Sequence, residues 1–443
     1  MATGIVASDM LAHEARALLA RLARIKPFVI TETMVPAAAV SPRAVTAIER
    51  YLATGRRELR ARVNAYLKWL ATPAARDVPP ATLQQRFTFL RLRFNAVLTQ
   101  FDIFADVLSQ RSQLDNGLAL SGLDVVAADA LALPGGYYAP PPVICYLDRG
   151  HGAAIRRERT RLPGGGENPV AIVRVPRERM VGSGIASSLI HEVGHQAAAL
   201  LDVLDSLRPL LHARHEEEPA ERLAWRYWER WISEIFADFW SVARIGVAST
   251  LGLIGVVSLP RIFVFRLNPE DPHPIPWIRV KLSCAMGRAL YPHPQWRAVE
   301  QLWESFYPRL SLAPDYRALL AALESTMPKF VELLVTHRPR SLRGRSLAEV
   351  MDTATRTPAR LVEAFRALNG SPARLRETSP SLAFAIIGQA RADGRIGPEE
   401  ESRTLVELLQ YWALRSTLDD AARASARPTA DAQKTRMLEP SLN

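Results

Sequence analysis

The sequence predicts a mainly α-helical protein with one small β-sheet, on the strength of three features. Apolar residues recur at helical spacing over most of the 443 residues, β-branched runs of strand length stand at 142–149 and 169–176, and prolines and glycines gather between the two kinds of segment. A chain that is 48% hydrophobic and 23% charged has ordinary globular composition, with room for two or three domains and a core that needs no staples. Its two cysteines, Cys145 and Cys284, are far apart and in no metal or redox spacing, so a disulfide framework is not indicated and a reducing compartment fits.

Residues 1–130 are expected as a helical N-terminal region. VTAIERYLATGRRELRARVNAYLKWL is amphipathic, and Phe87, Leu90, Phe94, Val97, Phe101, Phe104 and Leu108 alternate spacings of three and four, the mark of a core-facing stripe. LALPGGYYAPPP, residues 131–142, then punctuates the chain with Gly135, Gly136 and four prolines. PVICYLDR and PVAIVRVP follow as strands, opening a core region expected over 131–337. Gly164 to Gly166 between them lack the Lys-Ser/Thr ending of a phosphate-binding loop and suit a hairpin tip. One helix is expected from near Gly184 to Leu211, broken by HARHEEEPAER, where His212 and His215 sit beside three glutamates as in a solvated turn. IGVASTLGLIGVVSLP, residues 245–260, falls short of the roughly 20 residues that span a bilayer and is expected as a buried helix. After a basic linker at 338–346, a small helical module is expected over 347–418, and a disordered tail over 419–443.

The chemistry concentrates in SSLIHEVGHQAAALL, residues 187–201. His191 and His195 are one helical turn apart on one face, so both imidazoles can bind one zinc ion, with Glu192 beside the first placed to act on a water. Apolar Leu189, Ile190, Val193, Ala197 and Leu200 surround the pair, which is unlike a solvated helix face. A metzincin would need His at 201 and Gly at 198, where this chain has Leu201 and Ala198. The next helical stretch offers Glu234 and Asp238 at i and i+4: Glu234 as third ligand, and Asp238 as acceptor for the other ring nitrogen of a ligand imidazole, most naturally His191.

HEVGH followed some forty residues on by E-x-x-x-D resembles the gluzincin zinc metallopeptidases, and His273-Pro274-Ile275-Pro276-Trp277-Ile278-Arg279 looks like the H-P-x-x-x-x-R element of the CAAX prenyl protease and heat-shock membrane protease branch. The resemblance covers roughly residues 165–285. It implies a zincin-like catalytic core with helical flanks, and gives His273 and Arg279 a part in substrate or transition-state binding. It also implies a strand whose free edge aligns an extended peptide, for which Ala171 to Val175 is the candidate. That branch spans membranes with several long hydrophobic helices, which have no counterpart here. Farther on, QARADGRIGPEEE fails as a calcium loop, because Gln389 and Arg391 stand at the first and third ligand positions. It resembles the A-D-G-x-I-x-x-x-E turn of tellurite-resistance-type helical domains.

The formal net charge of +11 comes from scattered arginines with no dense basic block interleaved with aromatics, so specific nucleic-acid binding is not expected. No signal peptide or clear span is evident, and the expected location is cytoplasmic, with membrane association not favoured. The expected function is that of a zinc peptidase acting on a peptide or protein, with His191, His195 and Glu234 on Zn2+ and Glu192, His273 and Arg279 in catalysis. The alternative is a non-enzymatic interaction or scaffold protein that keeps the fold.

Overall fold

The structure is a computed structural model that describes residues 6–26, 34–149, 152–177, 180, 182–268, 270–310, 312–368 and 371–426. The chain is mainly α-helical with one small mixed sheet. It divides into two compact units that are not sequential, one comprising residues 1–121, 159–170 and 412–443, the other 122–158 and 171–411.

In the first unit, α1 (Ala7–Arg24) buries Leu11, Ala15, Leu18 and Leu22, one stripe at spacings of four and three. Helix α2 (Pro42–Leu70) opens with Pro42 in its first turn and with Ser41 Oγ accepting from the Ala44 amide at 3.3 Å. Helix α3 (Pro80–Leu108) buries the whole Phe87-to-Leu108 stripe, the three helices pack on one another, and α4 (Leu114–Leu131) follows in the chain. Arg161 bridges Glu167 across a hairpin whose tip carries Gly164 and Gly165 at φ 83° and 90°, a conformation that costs other residues dear. The GGG segment is thus a hairpin tip, and Pro163 in it accepts from Gln100 of α3.

The second unit holds the sheet, in the order β1 (Val143–Asp148), β3 (Ala171–Pro176), β2 (Ala154–Arg156). β1 runs parallel to β3, with Cys145 opposite Val173, and β2 runs antiparallel to it, with Ile155 opposite the same residue. The strand at Ala171 to Val175 is therefore central, paired with β1 along its length and with β2 over Ile172 to Arg174. Burial explains the placement: five of the six residues of β3 are buried, whereas the three residues of β2 are half-buried or exposed, as suits an edge.

After β3 come α5 (Gly184–Leu200) and α6 (Val203–Glu217), so the expected single helix is broken ten residues earlier than the sequence suggests. Asp202, in the left-handed region at φ 51°, makes the break. His212 and His215 consequently lie on α6, not in a turn. Helix α7 (Arg222–Ile245) is the unit's central element: its Trp225, Trp228, Trp231 and Trp240 are buried, and the indoles of Trp228 and Trp240 donate to Thr326 Oγ1 at 2.9 Å and to the Ala130 carbonyl at 3.0 Å. α5 and α7 meet closely at Gly194, where a Cβ would stand 2.8 Å from Ala237 Cα. The glycine inside the H-E-x-x-H segment thus sets the distance between the two helices that carry its chemistry.

Gly246, at φ 57° and ψ −135°, separates α7 from α8 (Val247–Val257), a largely buried helix against α5. The remainder is helical: α9 (Pro276–Leu290), α10 (Gln295–Phe306), α11 (Pro314–Thr336), α12 (Pro358–Ala367), α13 (Pro380–Ala392) and α14 (Pro398–Ser425). Helix α14 runs on into the stretch expected as a tail, and residues 427–443 lie outside those described. Among the described residues no helix is long and apolar enough to cross a membrane.

Candidate metal centre

Three imidazoles surround one carboxylate oxygen. Glu234 Oε2 lies 3.2 Å from His191 Nε2, 3.4 Å from His195 Nε2 and 3.1 Å from His273 Nε2. His191 and His195 come from α5, Glu234 from α7, and His273 from the loop before α9. The ligand atoms of His191, Glu234 and His273 all fall within 4.8 Å of one another, a spacing fit for a metal ion. None of the three rings is aligned to donate to Glu234 Oε2, which is buried without a hydrogen-bond partner. A buried, unsatisfied carboxylate oxygen is costly unless something positive completes it. Tetrahedral zinc with bonds of about 2.0–2.1 Å holds its ligand atoms roughly 3.3–3.4 Å apart. The distances from Glu234 Oε2 to the three ring nitrogens are those of such a site, while the group whose ligand atoms all lie together is His191, Glu234 and His273, without His195.

Each ring is fixed through its other nitrogen. His191 Nδ1 is 2.8 Å from Asp238 Oδ1, His195 Nδ1 is 3.4 Å from Ser233 Oγ, and His273 Nδ1 is 2.7 Å from Asp271 Oδ1. The two carboxylates, as acceptors, favour the proton on Nδ1 of His191 and His273, which presents the Nε2 lone pair of a neutral ring, whereas the Ser233 hydroxyl can donate or accept. Asp238 and Glu234 share a helix face at i and i+4, so a single helix supplies both a candidate ligand and the acceptor behind another candidate, His191. Ser233 and Asp271 had no distinguishing sequence signal except, for Asp271, the D-P-H spacing in which its carboxylate also accepts from the His273 amide at 3.0 Å.

Arg279 closes the arrangement from behind. Pro276 opens α9 in its first turn, which places Arg279 so that its Nε and Nη2 donate to Asp238 Oδ2 and Oδ1 at 2.6 and 2.9 Å. This two-point pair is buried, with Arg279 and Asp238 side chains only 11% and 8% exposed. Arg279 therefore meets the site through Asp238 and His191, with the Nε and Nη2 edge of its guanidinium engaged there.

The charges are strongly interdependent. Burial alone would lower the His191 pKa, but the adjacent Asp238 and its hydrogen bond, with Glu234, push it up to about 9. Burial works against the charged forms of Glu234 and Asp238 too. It is outweighed at Glu234 by the three imidazoles and at Asp238 by Arg279 and His191, so both carboxyls are held well below the usual range. His273 is raised despite burial, by Glu234 and Asp271.

Glu192 differs from its neighbours. It is buried, next to His191 in the chain, yet makes no hydrogen bond or ion pair with any described residue. The N-terminus of α5 is tied down separately: Glu401 of α14, buried, accepts from the Ser183 amide at 2.9 Å, a carboxylate at the positive end of the helix. No protein-family model, curated protein or solved structure matches this chain.

Proposed function

We propose that the chain is a zinc-dependent peptidase of gluzincin type that hydrolyses peptide bonds, with Glu192 as general base. The observation that carries this reading is the pairing of a converging histidine and carboxylate donor set with a buried carboxylate, Glu192, that no hydrogen bond or ion pair to a described residue occupies. His191, His195 and Glu234 would hold the ion. Bound there, zinc would supply a Lewis acid that polarises the scissile carbonyl and makes the attacking water more acidic. Glu192 takes a proton from that water and passes it to the leaving amine. Asp238 keeps the proton of His191 on Nδ1, and Arg279 keeps Asp238 charged and oriented. His273, half-exposed at the rim, has Asp271 behind Nδ1, which favours the charged ring; its Nε2–H can then donate to the developing oxyanion.

A second reading is favoured by one distance: His273 Nε2 approaches Glu234 Oε2 more closely than His195 Nε2 does. Neutral His273, with its proton on Nδ1 toward Asp271, would offer a fourth protein ligand and close the site, as in a non-enzymatic scaffold protein with structural zinc. His273→Ala separates the two. The peptidase reading expects zinc content by mass spectrometry to be kept and peptide cleavage to fall about a hundredfold, the usual effect of losing one oxyanion donor. Loss of zinc would favour the closed site.

A further inference from the structure

Beyond the metal centre, the described residues contain a second concentration of titratable side chains, in a cavity of about 660 Å³ between α6 and α7. Arg208, His212 and His215 line it from α6 at i, i+4 and i+7, and Arg226, Tyr227, Glu229 and Arg230 from α7. Arg208, Arg226 and Arg230 are exposed, and none forms an ion pair or hydrogen bond with a described residue. Glu229, the one carboxylate among the lining residues, is 3.7 Å from His212 Nδ1 and leaves the cavity net positive. Three guanidinium groups facing one concavity repel one another unless an anion joins them, and guanidinium forks match carboxylate and phosphate oxygens.

The cavity's place on α7 relates it to the metal centre. Tyr227, Arg230 and Glu234 stand at i, i+3 and i+7, on one face of the helix. At about 1.5 Å of rise per residue, Arg230 and Tyr227 lie roughly 6 and 10 Å along the axis from Glu234. An extended peptide advances about 3.3 Å per residue. A substrate with its scissile bond at Glu234 and running along α7 would therefore bring a side chain about two to three residues away into the cavity.

His212, His215 and Glu216 also hold ligand atoms within 4.8 Å of one another, as a metal site would. The unpaired arginines work against a cation there. Glu216 moreover leans toward Arg222, at 3.8 Å, as well as toward His215, at 3.5 Å.

We infer that the cavity between α6 and α7 is a specificity subsite for an anionic side chain, a carboxylate or a phosphorylated residue, of the bound peptide. The inference rests on the peptidase reading for its substrate, but its test does not depend on cleavage. Zinc-loaded Glu192→Gln protein is titrated, with fluorescence anisotropy as readout, into matched fluorescein-labelled dodecapeptides in which Asp, phosphoserine or Asn is scanned through each position. The expected result is about tenfold tighter binding of Asp or phosphoserine over Asn at one or two neighbouring positions, weakening as salt rises. The preference should vanish in Arg226→Gln/Arg230→Gln and persist in part in Arg226→Lys/Arg230→Lys, circular dichroism confirming that both fold. Preference for Asp or for phosphoserine tells which anion the subsite takes.

No positional preference, no binding of any peptide, or a preference that survives the double glutamine variant would overturn the subsite. So would a second zinc per chain that His212→Ala removes, since the cavity would then be a cation site. Tight binding of the acidic peptides with no cleavage by wild type would leave the subsite standing and count against the peptidase reading alone.

Discussion

Glu192→Gln should retain the fold and the zinc of the wild type while peptide hydrolysis falls by about 10² to 10⁴, the usual contribution of a general base. The substitution is nearly isosteric. Glu192 makes no hydrogen bond or ion pair with a described residue, so little structural stability is at stake in removing its charge. Zinc content measured alongside the rate makes the result specific. Equal cleavage by both proteins would point to a different catalytic group or a contaminating protease, and the mechanism would have to be abandoned.

Arg279→Met should produce the largest loss of stability. The side chain keeps its length and loses its fork, and Asp238, 6% exposed, is left with His191 as its remaining charged partner. Removing one member of a buried ion pair costs about 3–5 kcal/mol, and the lower end applies because His191 stays. Urea unfolding of the metal-free protein reads this directly. Zinc affinity should also fall about 10- to 100-fold, because Asp238 no longer holds the His191 ring in place. Arg279→Lys should recover only part of both effects, a point charge replacing a two-point contact. An unchanged urea midpoint in Arg279→Met would show that the Asp238 pair is not the buried, charged contact described.

What the sequence made legible was local. His191, Glu192 and His195 sit within five residues, and Glu234 and Asp238 within five more of one helix, so helical periodicity alone puts His191 with His195, and Glu234 with Asp238, on one face each. The structure brings those sets together with His273 and Arg279, the positions suggested by resemblance. The Arg279 fork was not legible, because the Asp238 partner is 41 residues away and only packing of α7 against α9 selects it. Ser233 and Asp271 are likewise defined by which ring faces them. The break at Asp202 was missed since no proline or glycine marks it, only a left-handed backbone at an ordinary aspartate. The central position of β3 was missed because an alternating or apolar strand pattern does not say how many neighbours a strand has; the short β2, with three residues, carried almost no pattern of its own.

The central claim is an accessible zinc ion held by this donor set with one position open to substrate. Calorimetric titration of the zinc-loaded wild-type protein with a small hydroxamate, alongside metal analysis of the same sample, tests it most directly. About one zinc per chain and saturable hydroxamate binding at about one per zinc are the expected result, with both lost in Glu234→Ala. Stoichiometric zinc with no hydroxamate binding would contradict it, and would mean that His273 closes the site as a fourth ligand.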